Sequence, residues 1–236
     1  MVEELLVTAR HNYKVDPSLA IWSWEIPVYL FLGGLTAGIM CFAAYAVLAR
    51  KDAEMPFTHD RFALWAPIAL SVGMTALFLD LEHKLYVFRF YTSFEPTSPM
   101  SWGAWILILV YPLMMLQTFS VLRRGYPALA GWVERLPFGG AALDVSEHLR
   151  RPVAALVIPL AVGLGIYTGV LLSAFSARPF WNTGLLGPLF LVSGLSTAAA
   201  LALIGARLDC EKHFFTRADI TLIGIELTFI AMLVIN

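Results

Sequence analysis

Apolar runs long enough to cross a bilayer alternate with short charged stretches along this chain. From Ile26 to Ala49 no charge interrupts 24 positions, and a helical run of that length spans a hydrocarbon core of ~30 Å at ~1.5 Å per residue. The same pattern recurs five more times, giving expected spans at 25–49, 62–80, 99–122, 152–176, 184–206 and 218–236. Charged groups separate them: Arg50-Lys51-Asp52, the cluster from Asp80 to Lys84 with Arg89, Glu95, Arg123-Arg124, and Arg207. The longest polar connection, 123–151, holds Pro127, Pro137, Gly139 and Gly140, with a short interfacial helix expected to start at Asp144. This pattern predicts an all-α integral membrane fold, a polytopic bundle of six transmembrane helices forming a single domain over residues 1–236.

Details within the runs refine that expectation. Pro67 and Gly73 predict a kink in the second span. Gly34 with Gly38, and Gly165 with Gly169, have the Gly-xxx-Gly spacing that lets a second helix approach closely. The fifth span, with Gly187, Ser193, Gly194, Ser196 and Thr197, suits packing against protein. The first 21 residues lack a cleavable signal pattern and read as a retained polar extension. The last run stops without interfacial anchors, which reads as an incomplete carboxyl-terminal end.

Composition settles the class. With 59% hydrophobic and 14% charged residues and a mean hydropathy of +0.74, the chain has too few charges to cover a soluble globule. A net charge of -1 without a basic patch argues against a nucleic-acid partner. Cys41, in the first run, and Cys210, expected in a polar loop, differ in depth, so no disulfide is expected. Without Cys-x-x-Cys or Cys-x-x-Cys-His, the chain is expected to hold no iron-sulfur cluster and no c-type haem. His11 and His83 are expected on one side, and His59, His148 and His213 in loops on the other. With none inside a span, a bis-histidine haem and a metal site are both disfavoured.

Charge also sets an orientation. Of 16 Lys and Arg residues only Arg10, Lys14, Lys84, Arg89 and Arg178 fall on the amino-terminal side, so the positive-inside rule puts the amino terminus outside. Glu25, the Asp80 cluster, Trp102 and the stretch from Arg178 to Trp181 then share the outer face. Glu25, Asp80 and Glu226 stand in or at the ends of apolar runs, where an ionised side chain costs ~2.5–3.5 kcal/mol at the helix centre. For Glu25 and Asp80 two readings stand, interfacial caps paired with Lys84, Arg89 or Arg178, or acid–base groups. Glu226 reads as a proton carrier, or as a neutral acid bonded to a neighbouring helix. Trp22, Trp24, Trp102, Trp105 and Trp181 fit an interfacial belt and equally a stacking surface for a flat ligand.

The segments Trp24-Glu-Ile-Pro-Val-Tyr-Leu-Phe-Leu-Gly-Gly34, Leu79-Asp-Leu81, Ser98-Pro-Met-Ser-Trp-Gly-Ala-Trp105, Tyr167-Thr-Gly-Val-Leu-Leu-Ser173 and Leu191-Val-Ser-Gly-Leu-Ser-Thr197 resemble the NrfD-type family of polysulfide reductase membrane subunits. They follow the family's order through most of the chain. The resemblance implies a subunit in a bacterial or archaeal cytoplasmic membrane that exchanges electrons with menaquinone or another quinone. The implied partners are a ferredoxin-like iron-sulfur subunit on the outer face and a molybdopterin catalytic subunit or multihaem cytochrome beyond it. On that basis Glu25 and Asp80 are the expected proton acceptors. Tyr167, Arg178, Trp102 and His83 are the cofactor-binding candidates, and Glu226, Ser196 and Thr197 extend a proton route. Two departures stand out: the family usually has eight or more spans, and Glu82-His-Lys84 replaces a Gly-Arg-Pro-like sequence. A transporter or channel, for which broken helices and intramembrane acids are also expected, and a redox-inert anchor are the competing classes.

Overall fold

The computed structural model describes residues 24–81, 84–92, 95, 97–173 and 183–235. His11, Trp22, His83, Arg178 and Trp181 lie outside the described residues. The described helices, in order, are α1 (Glu25–Leu48), α2 (Pro56–Asp60), α3 (Trp65–Asp80), α4 (Arg89–Thr92), α5 (Pro99–Gly125), α6 (Pro127–Glu134), α7 (Gly139–His148), α8 (Arg150–Ser173), α9 (Leu186–Gly205) and α10 (Asp209–Ile235). Six segments are long and apolar enough to span a membrane: α1, α3 with the 3-10 turn before it, α5, α8, α9 and α10.

Helix α1 is the axis of the bundle, packed by α3, α8 and α9, while α5 lies against α8 and α10 against α9. Hydrocarbon gives apolar side chains no reason to leave lipid, so close backbone fit must hold such helices together. The sequence supplies that fit. A Cβ on Gly38 would run into the Gly194 carbonyl and the Ala198 methyl of α9, and one on Gly194 would strike the Gly34 backbone. The Gly34/Gly38 spacing therefore acts on α9, and Gly165 and Gly169 make the same close approach from α8 at Leu191 and Leu186. Where α1 ends, Arg50 takes a left-handed conformation with φ 55°. That turn lets its N–H reach Val47 O and the Lys51 N–H reach Ala46 O at 3.0 Å, closing off the last carbonyls as a Schellman motif does.

Three expectations about the elements need correction. Pro67 makes no mid-helix kink: it falls in the first turn of α3 after a 3-10 turn at Phe62–Leu64, where its missing N–H costs nothing. The connection at 123–151 is largely helical, because α5 continues to Gly125 and α6 and α7 follow, with α7 starting at Gly139 ahead of Asp144. The helix that carries the last span starts at Asp209, two turns ahead of the apolar stretch that begins at Ala218 as expected. Cys210 and His213 are thus helical, and His213 sits in the first turns of a spanning helix.

Candidate functional site

Alternation of helix direction gathers Glu25, the end of α3, the start of α5 and the end of α8 at one end of the bundle. There α1, α3, α5 and α8 enclose a cavity of about 550 Å³. Aliphatic side chains such as Leu30, Met74, Leu77 and Leu107 form most of its wall, and Tyr29, Asp80, Tyr91 and Tyr167 supply its polar groups. That combination, apolar walls with a few convergent donors, is the usual form of a small-molecule site.

Each polar group is placed by a local feature of the sequence. Tyr167 on α8 lies flat across α5 because position 103 is glycine: any Cβ there would collide with the Tyr167 ring and hydroxyl. Tyr29 is one turn beyond Glu25 on α1, and α3 approaches its backbone at Gly73, where an added Cβ would lie 3.6 Å from Tyr29 Cα. Tyr29 and Tyr167 are only 5% and 7% exposed, and among the described residues no hydrogen bond occupies either hydroxyl. Tyr29, Tyr91 and Tyr167 line the same cavity. Burial pushes the Tyr91 phenol above its ordinary range, and Tyr111 adds to the shift.

The two expected acids differ in setting. Asp80 is the last residue of α3 and is exposed at the cavity rim. A carboxylate at a helix C-terminus opposes the helix dipole, and among the described residues no cation pairs with it. Glu25, in the first turn of α1, has the favourable end of that dipole. Its Oε2 is buried without a hydrogen-bond partner among the described residues. Neither acid pairs with Lys84 or Arg89 there, and Arg89 instead stands 4.8 Å over the Tyr86 ring. Trp102, 55% exposed, and Trp24, 61% exposed, face outward and do not line the cavity.

Two residues of the expected proton route have described hydrogen bonds. Ser196 donates to Asp219 Oδ1 at 2.6 Å, and Thr197 donates to Ser193 O in its own helix. Glu226 is half-buried two turns beyond Asp219, and no described hydrogen bond links it to Ser196 or Thr197. At the opposite end Glu211 is fully buried, its Oε1 accepting the Thr58 N–H at 2.8 Å and the Thr58 hydroxyl at 2.7 Å. Sequence reasoning missed Tyr29, Tyr91, Glu211 and Asp219. Tyr29, one turn after Glu25, carried a signal in its i, i+4 spacing. Among the described residues no three His, Cys, Asp or Glu side chains converge as a metal site.

The family profile described as polysulphide reductase, NrfD, matches residues 11–236. A polysulfide reductase chain of Wolinella succinogenes is 31% identical over 180 residues, covering 75% of this chain and 55% of that protein. Protein NrfD of Escherichia coli is 30% identical over 220 residues, covering 88% and 68%. A tetrathionate reductase subunit of Salmonella typhimurium is 30% identical over 213 residues, covering 90% and 56%. The chain thus spans between about half and two thirds of the length of these relatives. A profile match over nearly the whole chain, on a bundle of six apolar spanning helices, establishes that this multi-pass membrane protein belongs to the NrfD polysulphide reductase family.

Proposed function

We propose that the chain is the quinone-reactive membrane subunit of an oxidoreductase complex, and that the cavity between α1, α3, α5 and α8 receives the quinone ring. The observation that carries this reading is the pairing of two buried phenols, Tyr29 and Tyr167, with an exposed carboxyl group, Asp80, in one apolar cavity. The relatives named as polysulfide and tetrathionate reductase subunits support the reaction class.

The residues divide the work by depth. Tyr29 and Tyr167 offer O–H donors to a ring carbonyl, each donating where no described protein acceptor competes. The aliphatic wall excludes water and accommodates the apolar ring substituents. A quinol bound there has two protons and two electrons to give. Asp80, at the rim, accepts a proton and releases it to water at that membrane face. Glu25, one turn before Tyr29 and next to the lining residue Ile26 but not itself lining the cavity, takes the other in this reading through its unpartnered Oε2. The electrons pass to an iron-sulfur subunit docked on the same face, with a molybdopterin or multihaem subunit beyond. That face is the outer one in the positive-inside reading. Asp219 with Ser196, and Glu226 two turns on, mark a separate polar line toward the opposite face, available to proton movement.

Asp80→Asn and Glu25→Gln in the assembled complex are each expected to lower quinol turnover about 100-fold, the scale of lost proton transfer, while the complex still assembles. Unchanged turnover in both would remove the acids from the mechanism and favour a redox-inert anchor.

A further inference from the structure

A second cavity opens on the flank of the bundle, where α10 passes α1 and α9, with a volume of about 800 Å³. It shares no lining residue with the first. Along α10, Cys210, His213, Arg217 and Thr221 follow at intervals of three and four residues and form one polar ridge. Phe42 of α1, Leu195 of α9 and Leu222 form the facing apolar walls. Aromatic contacts fix the floor: Phe42 meets Phe215 edge-on with centroids 5.1 Å apart, and Tyr45 stacks on Phe214 at 5.6 Å.

Arg217 is the residue to explain. It lies ~12 Å along α10 from Asp209, its side chain is exposed, and no carboxylate lines the cleft. Among the described residues it forms no ion pair. Asp219, two residues on, is taken by Ser196, and Glu211 is buried against Thr58. A guanidinium without an ion-pair partner among the described residues, on the turn just before the apolar stretch of α10, calls for an anion, and the walls beside it call for hydrocarbon.

We propose that this cleft binds an anionic phospholipid, its phosphate held by Arg217 beside His213 and an acyl chain lying along Phe42, Leu195 and Leu222. A free phosphate has no use for the walls, and a zwitterionic lipid brings its own cation. The end of the bundle where α10 starts carries most of the chain's Lys and Arg residues, the distribution that draws anionic lipid to a membrane face.

Cys210 is a built-in reporter: it lines the cleft, is exposed, and its thiol donates to Glu54 O at 3.0 Å. The test follows N-ethylmaleimide alkylation of Cys210 in the purified intact protein in detergent. Phosphatidylglycerol, phosphatidylcholine or inorganic phosphate is added, and half-buried Cys41 serves as internal control. Phosphatidylglycerol is expected to slow Cys210 alkylation about fivefold, and the other two to leave it unchanged. Arg217→Gln is expected to need about fivefold more phosphatidylglycerol for equal protection, the worth of one basic residue at an anionic surface. Arg217→Lys should retain most of the protection. Equal protection by both lipids, protection by phosphate alone, unaltered protection in Arg217→Gln, or a Cys210 unreactive before lipid is added would each overturn the proposal. The wild-type comparison of lipids decides the matter even where a variant does not fold.

Discussion

The two ends of the bundle treat charge in opposite ways. At the end where α1 finishes, most charged groups have partners, with Glu211 Oε2 and Arg150 Nε the buried atoms left without one among the described residues. Arg123 donates to Glu134 at 2.9 Å and Asp144 at 2.6 Å, with Glu147 at 3.7 Å, and so ties α5 to α6 and α7. Arg150 donates to His59 O at 2.5 Å and faces Asp60 at 3.5 Å, while Asp60 accepts from His59 at 2.8 Å. Glu211 fixes the start of α10 to Thr58. At the end where α1 begins, the acids Glu25 and Asp80 have no described cation, and two phenols stand at a cavity without a described hydrogen bond. Matched charges hold helices in place. Groups left without partners cost stability, and such a cost is retained where a ligand or a proton supplies the missing partner.

Substitutions that separate the two ends sharpen this contrast. The largest effect is expected from Glu211→Ala, which leaves the Thr58 N–H and hydroxyl without an acceptor in a buried site. It should cost about 3 kcal/mol of stability and leave turnover per folded molecule unchanged, as thermal unfolding and activity of the same sample would show. Lost turnover at full stability would mean that the matched end takes part in the chemistry.

Gly103→Ala acts at the other end. The new methyl displaces the Tyr167 ring, so affinity for a quinone analogue should fall about tenfold, the loss of a well-placed hydrogen bond with some repacking. A titration in which the analogue binds as before would show that Tyr167 does not touch it.

The smallest effect concerns pH. Burial raises the Asp60 carboxyl, but the His59 hydrogen bond and the charges of His59, Arg150 and Arg124 outweigh it and hold the group below its ordinary value. A carboxyl depressed in the folded state stabilises the fold above its unfolded value near pH 4 and loses that contribution as pH falls through the folded one. Asp60→Asn should therefore flatten the acid side of a melting-temperature profile below about pH 4. An unchanged profile would show that Asp60 is not coupled to folding.

Much of the frame was readable in the residues. Uncharged runs of spanning length located the six helices, and the spacing of Gly34, Gly38, Gly165 and Gly169 marked where backbones meet. The elements misjudged share a cause. Asp209, Glu211, Lys212 and Arg217 lower the hydropathy of the first turns of α10 without disfavouring a helix, so Cys210 and His213 were expected in a loop. Pro127, Pro137, Gly139 and Gly140 read as a loop, yet Pro127 only starts α6 and Gly139 starts α7. For the site, Asp80 stood out as a charge at the end of an apolar run. Tyr29 did not, since a tyrosine that packs in a core and one that faces a cavity look alike until neighbouring helices are placed. The role of Gly103 was equally hidden, because it depends on a ring from a helix more than 60 residues away.

The most direct test of the cavity's role is titration of the purified complex with a quinone analogue, read by quenching of tryptophan fluorescence, in wild type and Tyr167→Phe. Trp102 and Trp105 lie on α5 beside Gly103 and Ala104, which line the cavity, so a ring bound there is within quenching range. Saturable quenching in the wild type, weakened about fivefold by loss of the one hydroxyl, is the predicted result. Absence of saturable quenching in an intact complex, or identical titrations of the two proteins, would contradict the assignment of this cavity as the quinone site.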